Sequence, residues 1–278
     1  QSGYPKVERS SAVRSEFLSQ RGYSSTPTGY QVDHVVPLSR GGADATVTRE
    51  FDLQTRTFVK GGFELPEAKG GMSWIDQDQV YVATNFGPGS LTTSGYPRIA
   101  KLWKRGQKLE QAQVIFEGQP TDMSVSAYYD DTKGFERHFV SCTPAFFKNQ
   151  LFLRTAQGEL KRVEVPEDAE AYAHREWLMV TLRSPWSVGG KTFPAGAFLA
   201  ARFDDFMKGK RDFTVLFEPT LRTSLAGASW TRNHLILNVL EDVKNTLTVL
   251  TPASKGWSRK PLPGAPGFAG GVAFFRET

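Results

Sequence analysis

The sequence predicts an all-β protein, a partial β-propeller of about four to five four-stranded blades that follows a small mixed α/β leader. Three observations predict it. The chain is rich in Phe, Tyr and Trp, it alternates short apolar bursts with turn residues, and the bursts repeat about every 50 residues. Its 278 residues suffice for one large domain or two smaller ones.

The bursts have the length and composition of β-strands. Each holds about five apolar or alternating residues, which is too short for an average helix. Clear examples lie at residues 79–84, 150–154, 177–182 and 234–239. Turn pairs such as Gly189-Gly190 separate them. Helical character is confined to residues 11–20 and to one turn at residues 204–209.

An internal repeat divides the chain into blades. The run Val-Ile-Phe-Glu-Gly at residues 114–118 recurs as Val-Leu-Phe-Glu-Pro at residues 215–219, about 100 residues later. A related run occupies the midpoint at residues 162–166. Because one four-stranded sheet cannot bury both of its faces alone, neighbouring units are expected to cover each other. The predicted full units are residues 71–118, 121–166, 170–219 and 224–263.

Incomplete blades are predicted at both ends of the repeat. Residues 49–58 have the pattern of the outer strands of an earlier blade, and residues 270–275 that of the first strand of a later one. The predicted domains are a leader over residues 1–45 and a partial propeller over residues 46–278.

Composition excludes several classes of protein. The net charge of +5 is mild and the basic residues are scattered, which argues against nucleic acid as a partner. The single cysteine, Cys142, excludes an internal disulfide and a cysteine-rich zinc site, and its strand-like surroundings predict a buried thiol. No apolar run approaches the roughly 18 residues that span a bilayer. A soluble protein of the cytoplasm or periplasm is therefore expected.

Long stretches of the larger segment resemble one enzyme family. The segment over residues 46–278 resembles the N-terminal propeller of bacterial prolyl oligopeptidase family serine peptidases. The stretches that carry the resemblance are residues 49–53, 62–69, 73–76, 86–98, 211–219 and 222–225. The longest of them reads Phe-Gly-Pro-Gly-Ser-Leu-Thr-Thr-Ser-Gly-Tyr-Pro-Arg.

The resemblance implies a role without catalysis in these residues. In this family the propeller caps an α/β-hydrolase domain that carries a Ser-Asp-His triad, and it restricts entry to short peptides cleaved after proline. The nucleophile of such a domain normally sits in Gly-x-Ser-x-Gly, which this sequence does not contain. Ser73 and Ser229 come nearest and lack the flanking glycines. The expected partners are a peptide substrate or an α/β-hydrolase domain, and activity of these residues alone is not expected.

A second resemblance concerns residues 4–44. The run Tyr-Gln-Val-Asp-His-Val-Val-Pro-Leu-Ser-Arg-Gly-Gly at residues 30–42 looks like the first half of an HNH endonuclease. By this resemblance Asp33 is a metal ligand and His34 the general base that activates water. A divalent metal is expected only if this segment is functional, and no other cofactor is expected. A bound metal would offset phosphate charge while the imidazole accepts a proton near pH 7.

The HNH-like segment departs from its family after the Gly-Gly loop. The next histidine is His138, far from the position of the family's last metal ligand. Both resemblances stop in mid-motif near residues 43–47, which predicts a join of two gene fragments there. Two alternatives to a non-catalytic peptidase propeller stay open: a metal-dependent HNH-type nuclease with an appended propeller, and a propeller that binds a peptide or protein.

The remaining polar residues have structural interpretations. The spacing of His138, His174 and His234 matches no metal motif, so strand histidines are expected. Asp130-Asp131 precedes Thr-Lys-Gly and predicts a turn capped by an Asp side chain. Gly87-Pro88-Gly89-Ser90 lacks the Gly-Lys ending of a phosphate loop, and we expect an inter-strand loop that faces the peptidase cavity in the parent enzyme.

Overall fold

The computed structural model describes residues 45–242, 244–253 and 256–264. The chain divides into two compact units, residues 1–68 and residues 69–278. The predicted helix at residues 11–20 and the predicted strand at residues 270–275 lie outside the described residues. The predicted domain boundary at residue 45 stays a prediction.

The described part of the first unit consists of short paired strands. They are β1 (Ala45–Arg49), β2 (Phe51–Asp52), β3 (Thr57–Phe58) and β4 (Glu64–Lys69). Strand β1 pairs with β4, and β2 forms a hairpin with β3. The Asp52 carboxylate accepts hydrogen bonds from the backbone of Gln54 and Thr55, which hold the hairpin turn and lower the pKa of that carboxyl. The structure therefore has two two-stranded ladders where residues 49–58 were expected to supply the outer strands of a blade.

The second unit contains four antiparallel four-stranded sheets in sequence order. Blade 1 is β5 (Gly71–Asp76), β6 (Gln79–Ala83), β7 (Ile99–Lys104) and β8 (Gln113–Glu117). Blade 2 is β9 (Ser124–Asp130), β10 (Arg137–Ala145), β11 (Lys148–Arg154) and β12 (Leu160–Arg162). Blade 3 is β13 (Glu170–His174), β14 (Trp177–Thr181), β17 (Phe198–Arg202) and β18 (Thr214–Phe217), with the hairpin β15 (Trp186–Val188) and β16 (Lys191–Phe193) inserted. Blade 4 is β19 (Thr223–Trp230), β20 (Leu235–Glu241), β21 (Lys244–Ala253) and β22 (Gly256–Pro261). The four predicted units are confirmed.

Alternation along the second strand of each blade explains why the sheets stack. In β14, Leu178 and Val180 pack into the core shared with blade 2, whereas Trp177 and Met179 pack into the core shared with blade 4. Successive residues of a strand point to opposite faces, so a strand covered on both faces is apolar throughout. Blades 1 and 2 share a third core, to which Tyr81 contributes.

One short helix seals the core between blades 2 and 3. Helix α1 (Phe203–Met207) follows β17 and buries Phe203 and Phe206. It confirms the helical turn predicted at residues 204–209. Asp204 and Asp205 lie in its first turn, where negative charge is favourable.

Each blade has two ends with different connections. At the end that we call the crossover face, the chain passes between blades at residues 118–123, 163–169 and 218–222, and joins second to third strands at residues 84–98, 146–147 and 182–197. At the opposite end, the hairpin face, the turns between first and second strands are linked from blade to blade. Arg137 donates to the Arg175 carbonyl at 2.5 Å, and Arg175 donates to the Arg232 carbonyl at 3.3 Å.

Candidate functional site

The crossover face of blade 1 carries a long loop with a fixed backbone. Ser90 Oγ accepts a hydrogen bond from the Phe86 amide at 2.8 Å and donates to the Gly87 carbonyl at 2.6 Å. Gly87 and Gly89 have positive φ angles, which glycine adopts without steric cost. The loop connects β6 with β7, so the predicted inter-strand loop is confirmed. Its orientation toward a peptidase cavity stays a prediction.

Arg98 fastens this loop to the link between blades 1 and 2. Its Nε donates to the Gly89 carbonyl at 2.6 Å, and its Nη1 donates to the Gly118 carbonyl at 2.8 Å. An ion pair with Glu117 at 2.8 Å adds to them, and the Arg98 side chain is only 16% exposed. Since a guanidinium presents several donors in a rigid fork, one side chain holds three chain segments together.

Cys142 lies where this link meets blade 2, beside a cleft of about 210 Å³. The thiol is buried, as predicted, and donates to the Asp122 carboxylate at 3.4 Å. Burial and the adjacent carboxylate raise the pKa of Cys142 to about 12. Because the thiolate is the nucleophile, Cys142 is inert near neutral pH.

A second cleft, of about 290 Å³, opens between blades 2 and 3. Glu167 accepts hydrogen bonds from Gln150 at 2.6 Å and Arg162 at 2.9 Å, and these contacts lower the pKa of its carboxyl. On the blade 3 side, Ser184 donates to Asp168 at 2.5 Å. The cleft therefore has polar walls whose charges are engaged with neighbouring side chains.

The crossover face also exposes large apolar side chains. Phe146 and Phe147 form the tip of the β10–β11 turn with exposures of 76% and 66%, and Leu221 in the link between blades 3 and 4 is fully exposed. The guanidinium of Arg183 lies 4.1 Å from the Phe147 ring centroid, so this ring is held in place. Exposed apolar groups held in a fixed position are typical of a surface that another protein covers.

The three histidines of the described segments lie apart from one another. His138 bonds to Tyr81 between blades 1 and 2, His174 stacks on Trp230 between blades 3 and 4, and His234 bonds to Thr251 within blade 4. These positions confirm the interpretation as strand histidines. Within residues 45–242, 244–253 and 256–264, no group of three His, Cys, Asp or Glu side chains could hold a metal ion.

The other predicted residues fall into two groups. Asp33 and His34 lie outside the described residues, so the HNH-like site stays a prediction. Asp130 accepts from the backbone and hydroxyl of Thr132, which confirms the predicted capped turn. Ser73 and Ser229 lie within strands β5 and β19.

Sequence reasoning missed the side chains that distinguish the crossover face. A Phe-Phe pair followed by Lys-Asn breaks the period-two alternation of a strand, and that signal could have identified the exposed tip at Phe146. No comparable signal exists for Arg98, because its three contacts come from segments that only the fold brings together.

Comparison with known proteins identifies the family of this fold. A family model described as prolyl oligopeptidase, N-terminal beta-propeller domain, matches residues 15–269. The chain belongs to this family. The match begins within the segment predicted as an HNH-like leader, and nothing in these comparisons shows an HNH segment or a join near residue 45.

Two curated relatives are uncharacterized peptidases. One, from Sinorhizobium fredii, is 33% identical over 239 residues, which cover 81% of this chain and 32% of the relative. The other, from Rickettsia prowazekii, is 26% identical over 243 residues, which cover 81% of this chain and 34% of the relative. The chain therefore spans about a third of the length of the curated relatives it matches.

Solved structures show the same architecture. A post-proline cleaving enzyme from Rickettsia typhi has a TM-score of 0.72 and 27% identity, with 79% of this chain and 34% of that chain covered. A prolyl endopeptidase at 17% identity and a TM-score of 0.56 covers 80% of this chain and 32% of that chain. This second likeness shows the fold alone. Among the described residues, none of the helices has the length and apolar character to cross a membrane.

Proposed function

We propose that these residues form the substrate-gating propeller of a prolyl oligopeptidase-like serine peptidase. The propeller itself is non-catalytic and works with an α/β-hydrolase domain that carries the triad. The observation that supports this most is the crossover face, where fixed loops and exposed aromatic side chains lie on one end of the blades. The relatives, which are peptidases about three times as long, support the presence of a further domain to cover that face.

Burial of the aromatic tip would stabilise such an assembly. Phe146 and Phe147 together expose most of two aromatic rings, and apolar area removed from water contributes about 25 cal/mol per Å². Arg183 already orders the Phe147 ring, so docking loses less conformational entropy there. The crossover face is therefore the face proposed to meet the hydrolase domain.

Gating follows from the rigidity of the stacked blades. Backbone hydrogen bonds join the loop of blade 1 to the following link, from Thr93 to the Pro120 carbonyl and from Val125 to the Pro97 carbonyl, both at 2.8 Å. A frame fixed in this way admits short flexible peptides and rejects folded or long chains by steric exclusion. That mechanism requires no cofactor in the propeller.

Exchange of the propeller segment tests this function. The matching segment of the Rickettsia typhi post-proline cleaving enzyme is replaced by this chain, and kcat/KM is measured on a short prolyl peptide and on a long unfolded polypeptide with the same prolyl sequence. We expect cleavage of the short peptide with at least about a hundredfold preference. The isolated chain should cleave neither substrate.

Two matched variants of the exchange enzyme serve as controls. Phe146→Ser with Phe147→Ser removes the apolar tip of the crossover face and should raise cleavage of the long polypeptide. Lys133→Ser changes an exposed residue of the hairpin face and should leave the preference unchanged. Equal cleavage of both substrates by the unmutated exchange enzyme would contradict the gating role, and cleavage by the isolated chain would contradict its non-catalytic nature.

A further inference from the structure

The seam between blades 1 and 2 contains one imidazole ring, that of His138 in β10. Its Nδ1 lies 2.8 Å from the hydroxyl oxygen of Tyr81 in β6, so a single hydrogen bond joins the two blades. Tyr81 is 1% exposed, and its ring meets the imidazole edge to face with centroids 5.7 Å apart. The ring of Tyr129 in β9 also packs against His138, at 4.6 Å. This contact is therefore buried on both sides of the seam.

The charge around the imidazole opposes its protonation. Burial first, and then the nearby positive charge of Arg154 in β11, lower the pKa of His138 from its ordinary value of 6.5. Burial raises the pKa of the Tyr81 phenol, which therefore keeps its proton at neutral pH. Acidic groups of the neighbouring β5 strand and β9–β10 turn act on Tyr129, whose pKa is raised by burial first and then by Glu136, Asp131, Asp130 and Asp76.

The hydrogen bond has a fixed direction while the imidazole is neutral. With its proton on Nε2, His138 offers Nδ1 as an acceptor, and the Tyr81 hydroxyl donates to it. A protonated imidazole has two N–H donors and no acceptor. The Tyr81 hydrogen would then lose its partner in a buried place, and the imidazolium would stand beside the Arg154 guanidinium. Both consequences are unfavourable.

We propose that His138 and Tyr81 form a pH-sensitive latch between the first two blades, closed while the imidazole is neutral and released when it takes up a proton. Release loosens β6 against β9 and β10 and leaves the seams between blades 2, 3 and 4 unchanged. This inference rests on the fold and does not depend on the proposed gating function.

The pH window follows from the direction of the shift. Because the pKa of His138 in the folded protein lies below that of an exposed histidine, the unfolded or opened state takes up the proton first. The contribution of the latch to stability is complete above a pH of about 6.5 and is lost as the pH falls from there toward the folded-state pKa.

Hydrogen exchange measured on the whole chain at pH 7.5 and pH 5.5 tests the latch. After correction for intrinsic exchange rates, amide protection in β6 and β10 should fall by at least about tenfold at the lower pH, because one pKa unit is a factor of ten. Protection in β20 should not change. His138→Gln keeps an acceptor that does not titrate and should remove the pH response, whereas His234→Gln, which changes a histidine of blade 4, should keep it.

Equal protection of β6 and β10 at both pH values, or an unchanged response in His138→Gln, would overturn the latch. An NMR titration of the wild-type histidines keeps the proposal testable if His138→Gln fails to fold. His138 should titrate below 6.5, and Tyr81→Phe, which removes only the hydroxyl, should move that value upward. A His138 pKa at or above 6.5 in the wild-type protein would likewise overturn the proposal.

Discussion

Replacement of Gly70 by alanine is expected to destabilise the propeller by at least about 2–4 kcal/mol. Gly70 precedes β5 with a φ of +110°, a region that side-chain-bearing residues rarely adopt. A Cβ at this position would lie 2.1 Å from the Ala83 carbonyl oxygen and 2.7 Å from Pro97 Cγ. The carbonyl belongs to the backbone of β6 and cannot rotate away, so the pairing of β5 with β6 would have to shift.

Urea unfolding followed by tryptophan fluorescence measures this effect. The matched control is Gly71→Ala, because a Cβ at Gly71 has no atom within 4 Å and its φ is not positive. That substitution should change the free energy of unfolding by less than about 1 kcal/mol. If the two alanine variants have the same unfolding midpoint, the close approach of Gly70 to Ala83 is not a feature of the folded protein.

Replacement of Phe203 by alanine is expected to cost about 3–5 kcal/mol. Phe203 is fully buried at the start of α1, where its ring meets that of Phe139 edge to face at 5.8 Å. The guanidinium of Arg137 lies 4.4 Å from the same ring. Its loss would leave a cavity between blades 2 and 3 and deprive a 9% exposed guanidinium of its aromatic face.

The control for this variant is an exposed phenylalanine of the same unit. Phe146→Ala removes a ring that is 76% exposed and should change the free energy of unfolding by no more than about 0.5 kcal/mol. Both variants are compared by thermal and urea unfolding. A Phe203→Ala midpoint within error of the Phe146→Ala midpoint would mean that α1 does not seal the core between the blades.

The blades could be predicted from the sequence because their signals are local and repeated. The alternation in Trp-Leu-Met-Val-Thr at residues 177–181 reports burial on two faces, and the run at 114–118 marks the same outer strand that 215–219 marks two blades later. Such patterns survive in one dimension because side chains alternate across a strand. The hairpin of β15 and β16 was not predicted, although Gly189-Gly190 was recognised as a turn; each of its strands is only three residues long.

The candidate site could be predicted only in part. The Gly-Pro-Gly-Ser loop was recognised as an inter-strand loop, and Cys142 as a buried thiol. The contact of Tyr81 with His138 spans two blades, and the fastening of Gly89 and Gly118 by Arg98 joins three segments. Contacts of this kind depend on the stacking angle of the sheets, which no local pattern encodes. Exposure of Phe147 likewise depends on what the neighbouring blade leaves uncovered.

The most direct test of the account is chemical cross-linking of the exchange enzyme, in which this chain replaces the matching segment of the Rickettsia typhi enzyme. Lys148 lies exposed on the crossover face, whereas Lys133 and Lys208 lie exposed on the hairpin face. If the crossover face meets the hydrolase domain, mass spectrometry should find cross-links to that domain from Lys148 and none from Lys133 or Lys208. Cross-links from Lys133 or Lys208 without any from Lys148 would place the hydrolase on the opposite face and contradict the account.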